Sequence, residues 1–234
     1  MKNWKISAAG FMLAAIVSAP LASGAVIGTL KITSDPGQVS VTADYIDFTP
    51  PSGLPDGRFT VGAGTDLTYD GGTALNPGTL GTILDLVAGP LPMGAFMSFD
   101  QSDSLQFFLT SIGPGANNTA CMNSLNPNAS VCSVAEGSPF LLQSTSTGTT
   151  VSLSTAGYVM DASGVSSNFI GAFTTQITGR TPAQIQSTIL GGGAVASTYS
   201  AEFVVTPIPE PGAASLLLIG SGMLALGWRR RAQR

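Results

Sequence analysis

Residues 199–205 read Tyr-Ser-Ala-Glu-Phe-Val-Val, and this stretch decides the fold class. Tyr199, Ala201, Phe203 and Val205 recur at every second position, which is the period of a β-strand with one buried face. We therefore expect these four side chains to point into a core. The same period recurs upstream, so the sequence predicts a mainly β domain.

Further β-segments precede this strand. Phe169, Phe173 and Ile177 fall on one face of residues 169–177, and residues 38–42 alternate in the same way. In residues 105–109, Phe108 and Leu109 make the segment apolar on both faces, as in the interior of a sandwich.

The segment 151–160 alternates from Val151 to Ser154, and then its phase slips at Ala156 and Gly157 before Tyr158. A β-bulge at the slip is the expected cause. Glycine, proline and aspartate turns separate these short segments. Together they predict an antiparallel β-sandwich or jelly-roll-like fold.

One short helix is predicted before the last strand. Thr181 has the form of an N-cap, Pro182 suits the first helical position, and Gln184 can return to the cap. Residues 191–193 are three glycines that end the helix.

The chain has two cysteines, Cys121 and Cys132, and no histidine. In an oxidising compartment such a pair is expected to form a disulfide, and a metal site is disfavoured. The missing histidine also removes Ser/His and Cys/His catalysis. We predict no cofactor, no metal and no enzymatic activity.

Paired carboxylates are the remaining candidates for catalysis. Asp44 with Asp47, and Asp100 with Asp103, are each three residues apart and would face opposite ways in an extended chain. Solvated turns are the better interpretation.

Calcium is a second, weaker option in the glycine-rich region, at Asp56, Asp66 and Asp70.

Residues 26–206 hold twelve acidic residues and three basic ones, so their formal charge is −9. Such a domain would be repelled by nucleic acid and by anionic headgroups.

The N-terminus has the pattern of a signal peptide. Lys2 and Lys5 precede an apolar run from Ile6 to Ala19, and small residues follow it. Signal peptidase is expected to cleave after Gly24 or Ala25. A retained N-terminal anchor is the disfavoured alternative, because the apolar run is short.

The C-terminus begins with alternating prolines at 207, 209 and 211, which impose an extended backbone. Residues 212–228 then carry no charge, and this length is about 25 Å as a helix, the short end of what spans a bilayer. Arg229, Arg230 and Arg231 follow and mark the cytoplasmic side. A buried core helix is the alternative, but a core helix would show a broader polar face.

This order of parts resembles the PEP-CTERM sorting signal of Gram-negative bacteria, whose core motif corresponds to Pro209, Glu210 and Pro211. The residue before it is Ile208 where that family usually has valine. A tail of this type also carries the label ice-binding protein C-terminal domain. The resemblance implies a membrane-embedded exosortase that reads the motif and releases or re-anchors the protein at the cell surface.

We therefore expect three parts: a signal peptide (1–25), a β-rich extracytoplasmic domain (26–206) and a sorting tail with a transmembrane helix (207–234). Exosortase and signal peptidase are the expected partners. The protein would be anchored in the inner membrane and later reach the cell surface or matrix. A structural or adhesive role among exopolysaccharide in a biofilm is favoured, a polysaccharide- or ice-binding module is the alternative, and a glycoside-acting enzyme comes third.

Overall fold

Antiparallel strands dominate the structure, as the alternating sequence predicted. The computed structural model describes residues 24–35, 37–49, 56–87 and 90–208, and these form one unit, Gly24–Ile208. This unit extends the predicted domain by two residues at each end. Residues 1–23 of the predicted signal peptide (1–25) and the predicted tail helix lie outside the described residues. No helix within the described ranges is long and apolar enough to cross a membrane.

Fifteen strands and one helix are present in these ranges. In chain order they are β1 (Gly28–Ser34), β2 (Val39–Val41), β3 (Tyr45–Phe48), β4 (Gly57–Val61), β5 (Thr68–Tyr69), β6 (Thr73–Ala74), β7 (Leu80–Ile83), β8 (Leu86–Val87), β9 (Met97–Phe99), β10 (Ser102–Ile112), β11 (Phe140–Ser144), β12 (Gly148–Met160), β13 (Ser167–Thr178), α1 (Pro182–Leu190), β14 (Val195–Ser197) and β15 (Ser200–Pro207).

Eight strands follow one another around a closed, barrel-like antiparallel sheet, which we call the ring. Their order is β10, β9, β7, β4, β1, β15, β13 and β12, and β12 pairs back onto β10. The prediction of mainly antiparallel β structure is confirmed. The sandwich or jelly-roll prediction differs from the structure, because these strands close one sheet instead of forming two facing sheets.

The length of β12 explains the closure. Its first half, residues 149–153, pairs with β11, and its second half, residues 155–160, pairs with β10 along the same edge. Its other edge pairs with β13 from Gly148 to Val159 without interruption. One long strand thus joins the two ends of the ring and leaves β11 as the terminal strand of the sheet.

Glycines on ring strands lie opposite phenylalanines at three places. Gly157 pairs with Phe169 and Gly171 with Phe203, and Gly81 lies between Phe59 and Phe99. At Gly171, an added Cβ would lie 2.2 Å from Cδ1 of Phe203, so only glycine leaves room for that ring. Glycine opposite an aromatic residue lets a closing sheet bend, while the aromatic side chain covers the exposed backbone of the glycine.

The phase of β12 does not slip. Leu153, Thr155, Gly157 and Val159 are all buried, so the inward positions keep one period through the predicted bulge. The irregularity belongs to β10, where Leu109 pairs with Gly157 and Ser111 pairs with Ala156, leaving Thr110 as the extra residue. The predicted bulge at Ala156 and Gly157 was therefore wrong about the strand that carries it.

β10 carries apolar side chains on both faces, as predicted, but only one face lies in an interior, so its comparison with a strand inside a sandwich was wrong. Leu105, Phe107 and Leu109 are buried, whereas Phe108 is half-buried on the outer face. There its ring stacks on that of Tyr158, with centroids 4.9 Å apart.

Two other strand predictions are confirmed. Tyr199, Ala201, Phe203 and Val205 are all buried, and so are Phe169 and Phe173 on β13. These side chains belong to a large, phenylalanine-rich cluster inside the ring.

A second, four-stranded sheet is formed by β14, β2, β3 and β8, and α1 contacts β11 and β14. The helix buries Ile185 and Ile189 in a smaller cluster. Its buried members are Cys132, Val134, Leu142, Ile185, Ile189 and Val195.

The helix begins as predicted. The Thr181 side chain accepts a hydrogen bond from the Gln184 backbone, and the Gln184 side chain accepts one from the Thr181 backbone N–H at 3.0 Å. Pro182 occupies the first helical turn, where its missing N–H costs nothing.

Candidate functional site

The predicted disulfide is present between Cys121 and Cys132, whose Cα atoms are 5.4 Å apart. The residues it encloses contact α1, because the Met122 carbonyl accepts a hydrogen bond from Ala183 N at 3.2 Å. On the flanks of the loop, the Gln186 side chain donates to the carbonyls of Thr119 and Val134. The bridge therefore fixes a loop to which the helix is attached.

The candidate carboxylate pair Asp100 and Asp103 is not held together in the structure. The two carboxylate oxygens of Asp100 accept hydrogen bonds from the two terminal nitrogens of Arg58. This bidentate ion pair is a strong geometry for a guanidinium and a carboxylate. Hydrogen bonding to Asp100 raises the pKa of the Arg58 guanidinium. Asp103 is exposed, so the structure does not join Asp100 and Asp103 in an acid–base arrangement.

The other candidate pair, Asp44 and Asp47, is likewise separated. Asp44 is exposed, whereas Asp47 is half-buried on β3. Partial burial and the charge of Asp85 raise the pKa of the Asp47 carboxyl.

Asp85 is a residue that sequence reasoning missed. It accepts hydrogen bonds from the Tyr45 hydroxyl and from Phe48 N, the latter at 2.8 Å. The bond to Asp85 raises the pKa of Tyr45 to about 12. Tyr45 lies 40 positions away in sequence, so no local pattern could have signalled this contact.

The calcium candidates do not converge. Asp66 accepts a hydrogen bond from Thr29 N, while Asp70 accepts one from Ala162 N. In the part of the chain that the structure describes, no three histidine, cysteine or acidic side chains form a group able to hold a metal ion.

Ice binding would call for regular ranks of threonine on a flat strand face, and residues 147–149 (Thr-Gly-Thr) do not form such a rank. Thr149 is buried, and its hydroxyl donates to the Arg180 carbonyl at 2.7 Å. Thr147 lies in the turn before it.

A cleft of about 600 Å³ opens between the second sheet and the loop before β11. A neighbouring depression of about 480 Å³ shares with it Ser111, Ile112 and residues 137–139. The charged side chains lining the cleft are Asp44 and Glu136, both acidic. Hydroxyl groups, among them that of Ser138, supply further hydrogen-bonding capacity. The chain has no pattern that marks this cleft, because its walls come from four separate segments.

The predicted cleavage positions lie where the described chain begins. The Gly24 carbonyl accepts a hydrogen bond from the Ser163 hydroxyl at 3.0 Å. Two residues later, Val26 is fully buried in the core.

The last described strand, β15, ends at Pro207, and the predicted sorting residues Pro209, Glu210 and Pro211 lie beyond the described residues, as do Arg229, Arg230 and Arg231. Residues 207–231 match the family model of the PEP-CTERM protein-sorting motif. The chain carries a PEP-CTERM sorting motif. The motif marks it as an exported protein targeted to an exosortase. The matched range contains both the proline–glutamate–proline core and the three arginines.

Comparison with curated proteins gave no match, and neither did comparison with solved structures. The PEP-CTERM motif covers about a tenth of the chain, close to its C-terminus.

Proposed function

We propose that this PEP-CTERM protein is held in the inner membrane by its tail until an exosortase processes it, and that its domain then serves a structural or adhesive role at the cell surface or in the matrix. The match at residues 207–231 carries this proposal. A non-enzymatic domain is consistent with the pairing of Asp100 with Arg58 and with Asp44 and Asp103 being separately exposed.

The tail would act through charge and shape. Moving arginine to the centre of a membrane helix costs about 2.5–3.5 kcal/mol per charge on insertion scales, so the arginines at 229–231 would stop transfer. The prolines would keep residues 207–211 extended. Glu210 would then present a single charge just outside the bilayer.

The test compares two glutamates in a host with an exosortase. Glu210→Ala should leave export and folding intact but block processing, so that the full-length form accumulates in the inner membrane. Glu202→Ala is the matched control, because Glu202 is exposed on β15 and forms only a surface contact of 3.7 Å with Lys31. Normal processing and delivery of the Glu210→Ala protein would show that the tail is only an anchor.

The cleft favours a second function, the binding of extracellular polysaccharide. Hydroxyls and two carboxylates line a space large enough for part of a sugar chain, and their negative charge favours neutral or cationic glycans over uronic acids. Titration calorimetry with the polysaccharide of the host should show binding that Asp44→Asn with Glu136→Gln weakens. Asp103→Asn, an exposed change elsewhere, should not alter it.

A further inference from the structure

The outer face of the ring has an apolar area next to the end of β15. Ala156 pairs with Ile170, and Ile170 pairs with Val204, so three apolar side chains form one row across adjacent strands. The next row toward the chain end holds the stacked aromatic side chains of Phe108 and Tyr158, followed by the polar Asn168 and Thr206. Ile170 is 67% exposed and Val204 is 43% exposed, so this surface is open to solvent in the described unit. We call Ala156, Ile170, Val204, Phe108 and Tyr158 the outer patch.

The same face becomes polar and charged farther from the chain end. The row after the outer patch holds Glu202 and Lys31, which form an ion pair. The row beyond it joins Ser152, Thr174 and Ser200. Apolar character is therefore concentrated at one end of the face and does not follow the strands along their length.

That end is where the chain leaves the domain for its sorting tail. Val204 lies four residues before Ile208, which corresponds to about 13 Å of extended strand. The charge-free run of the tail begins at Gly212. A domain tethered so close to a bilayer meets it at a high effective concentration, so that even a small apolar surface can make contact.

We propose that the outer patch rests on the lipid interface while the tail is intact, so that the domain lies with this side of the ring against the bilayer. The inference rests on the inner-membrane anchoring proposed above. A tyrosine with an apolar neighbour suits the interface, where aromatic side chains are enriched.

The charge of the domain restricts which surface can make this contact. With twelve acidic residues against three basic ones, most of the surface is repelled by anionic headgroups. Three exposed carboxylates lie in the loops and at the strand start around the end of β15, namely Asp66, Asp70 and Asp103. They disfavour a direct end-on contact of the domain with the bilayer. The outer patch itself holds no charged side chain, and the nearest of these carboxylates, Asp66, lies beyond Thr29, the strand partner of Val204. Removal of the tail would end the tethering and release the patch.

The test uses single-tryptophan reporters in the tail-bearing chain from Gly24 onward. The only tryptophans of the sequence are Trp4, which precedes this start, and Trp228, which is replaced in Trp228→Phe. Ile170→Trp places a reporter in the outer patch. Gln176→Trp is the matched control, since it lies exposed on the same face of β13, six residues or about 20 Å away. Both proteins are reconstituted into zwitterionic vesicles with and without brominated lipid.

We expect brominated lipid to quench the reporter at position 170 at least twofold more than the reporter at position 176, with blue-shifted emission at position 170 alone. A second reporter controls for the membrane affinity that the tryptophan introduced at position 170 would itself create. Asn168→Trp, also exposed on β13, should be quenched, and adding Ile170→Ser with Val204→Ser should abolish that quenching.

Equal quenching at positions 170 and 176, or none at either, in protein that floats with the vesicles would overturn the inference and leave the anchoring intact. A blue shift that grows with the protein-to-lipid ratio and is insensitive to bromine would assign the patch to a second copy of the chain, which also overturns it. Protein that does not float with the vesicles would contradict both this inference and the proposed anchoring.

Discussion

The two hydrophobic clusters of the domain are built by different means. The cluster inside the ring is dominated by phenylalanines whose rings contact one another, with Phe173 and Phe203 at 5.4 Å and Phe107 and Phe169 at 5.2 Å. The cluster beneath α1 contains six buried residues, none aromatic, and adjoins the disulfide. The ring is stabilised by long-range packing and strand closure, whereas the helical side depends on a crosslink and a cap.

The largest effect should come from the ring. Phe203→Ala removes a fully buried phenyl group that covers Gly171. The change should lower the free energy of unfolding by about 3–5 kcal/mol. Urea unfolding of the domain checks this. Phe203→Leu is the control and should cost clearly less, because most of the volume is kept. Equal costs for the two variants would mean that packing against Gly171 is unimportant.

The disulfide should rank second. Replacing both cysteines in Cys121→Ser with Cys132→Ser should lower the free energy of unfolding by about 2–3 kcal/mol, the range for so short a loop. Hydrogen exchange should rise in α1, whose first turn is bonded to Met122, and should stay unchanged in β13 and β15. A uniform rise across the ring would contradict the separation of the two clusters.

The helix cap should give a smaller effect. Thr181→Ala removes the side-chain acceptor of Gln184 N and should cost about 1 kcal/mol, measured by thermal or urea unfolding. Thr181→Ser keeps an acceptor hydroxyl and should be nearly neutral. If both changes cost the same, contacts of the threonine methyl group, and not the cap, would be responsible.

The smallest effect concerns a hydrogen bond that joins the second sheet to the segment after β7. Tyr45 donates to Asp85, which raises its pKa to about 12 from a reference near 10. Because the folded state holds the proton more tightly, this stabilisation is complete below pH 10 and is lost as the pH rises toward 12. Water screens the pair, so we expect less than about 1 kcal/mol. The stability difference between the parent and Tyr45→Phe should therefore shrink between pH 9 and pH 11.5. A constant difference would show that the hydrogen bond does not control it.

Local signals in the sequence were sufficient for several elements. The Thr181 cap depends on residues within three positions of one another, and the faces of 199–205 follow from strand period alone. The pairing of Cys121 with Cys132 followed from their being the only two cysteines. The sorting motif is local too, since its parts are contiguous.

Ring closure could not be predicted in this way. It depends on β12 dividing one edge between β10 and β11, two consecutive strands that the long connection of residues 113–139 separates. The misplaced bulge has the same origin, because the period of β12 alone gives no sign that Thr110 of its partner is the extra residue. The contact of Tyr45 with Asp85 also requires the tertiary structure. Glycines such as Gly171 were visible, but their role depends on the register that places Phe203 opposite.

The most direct measurement is the intact mass of the protein recovered from outside the cell and from the inner membrane, in strains with and without exosortase. With exosortase, the external form should have lost the arginines at 229–231, should end near residues 209–211, and should keep the mass of an oxidised Cys121–Cys132 pair. Without exosortase, the full tail should remain on protein in the inner membrane. An external form of the same mass in both strains, with the arginines present, would contradict the account.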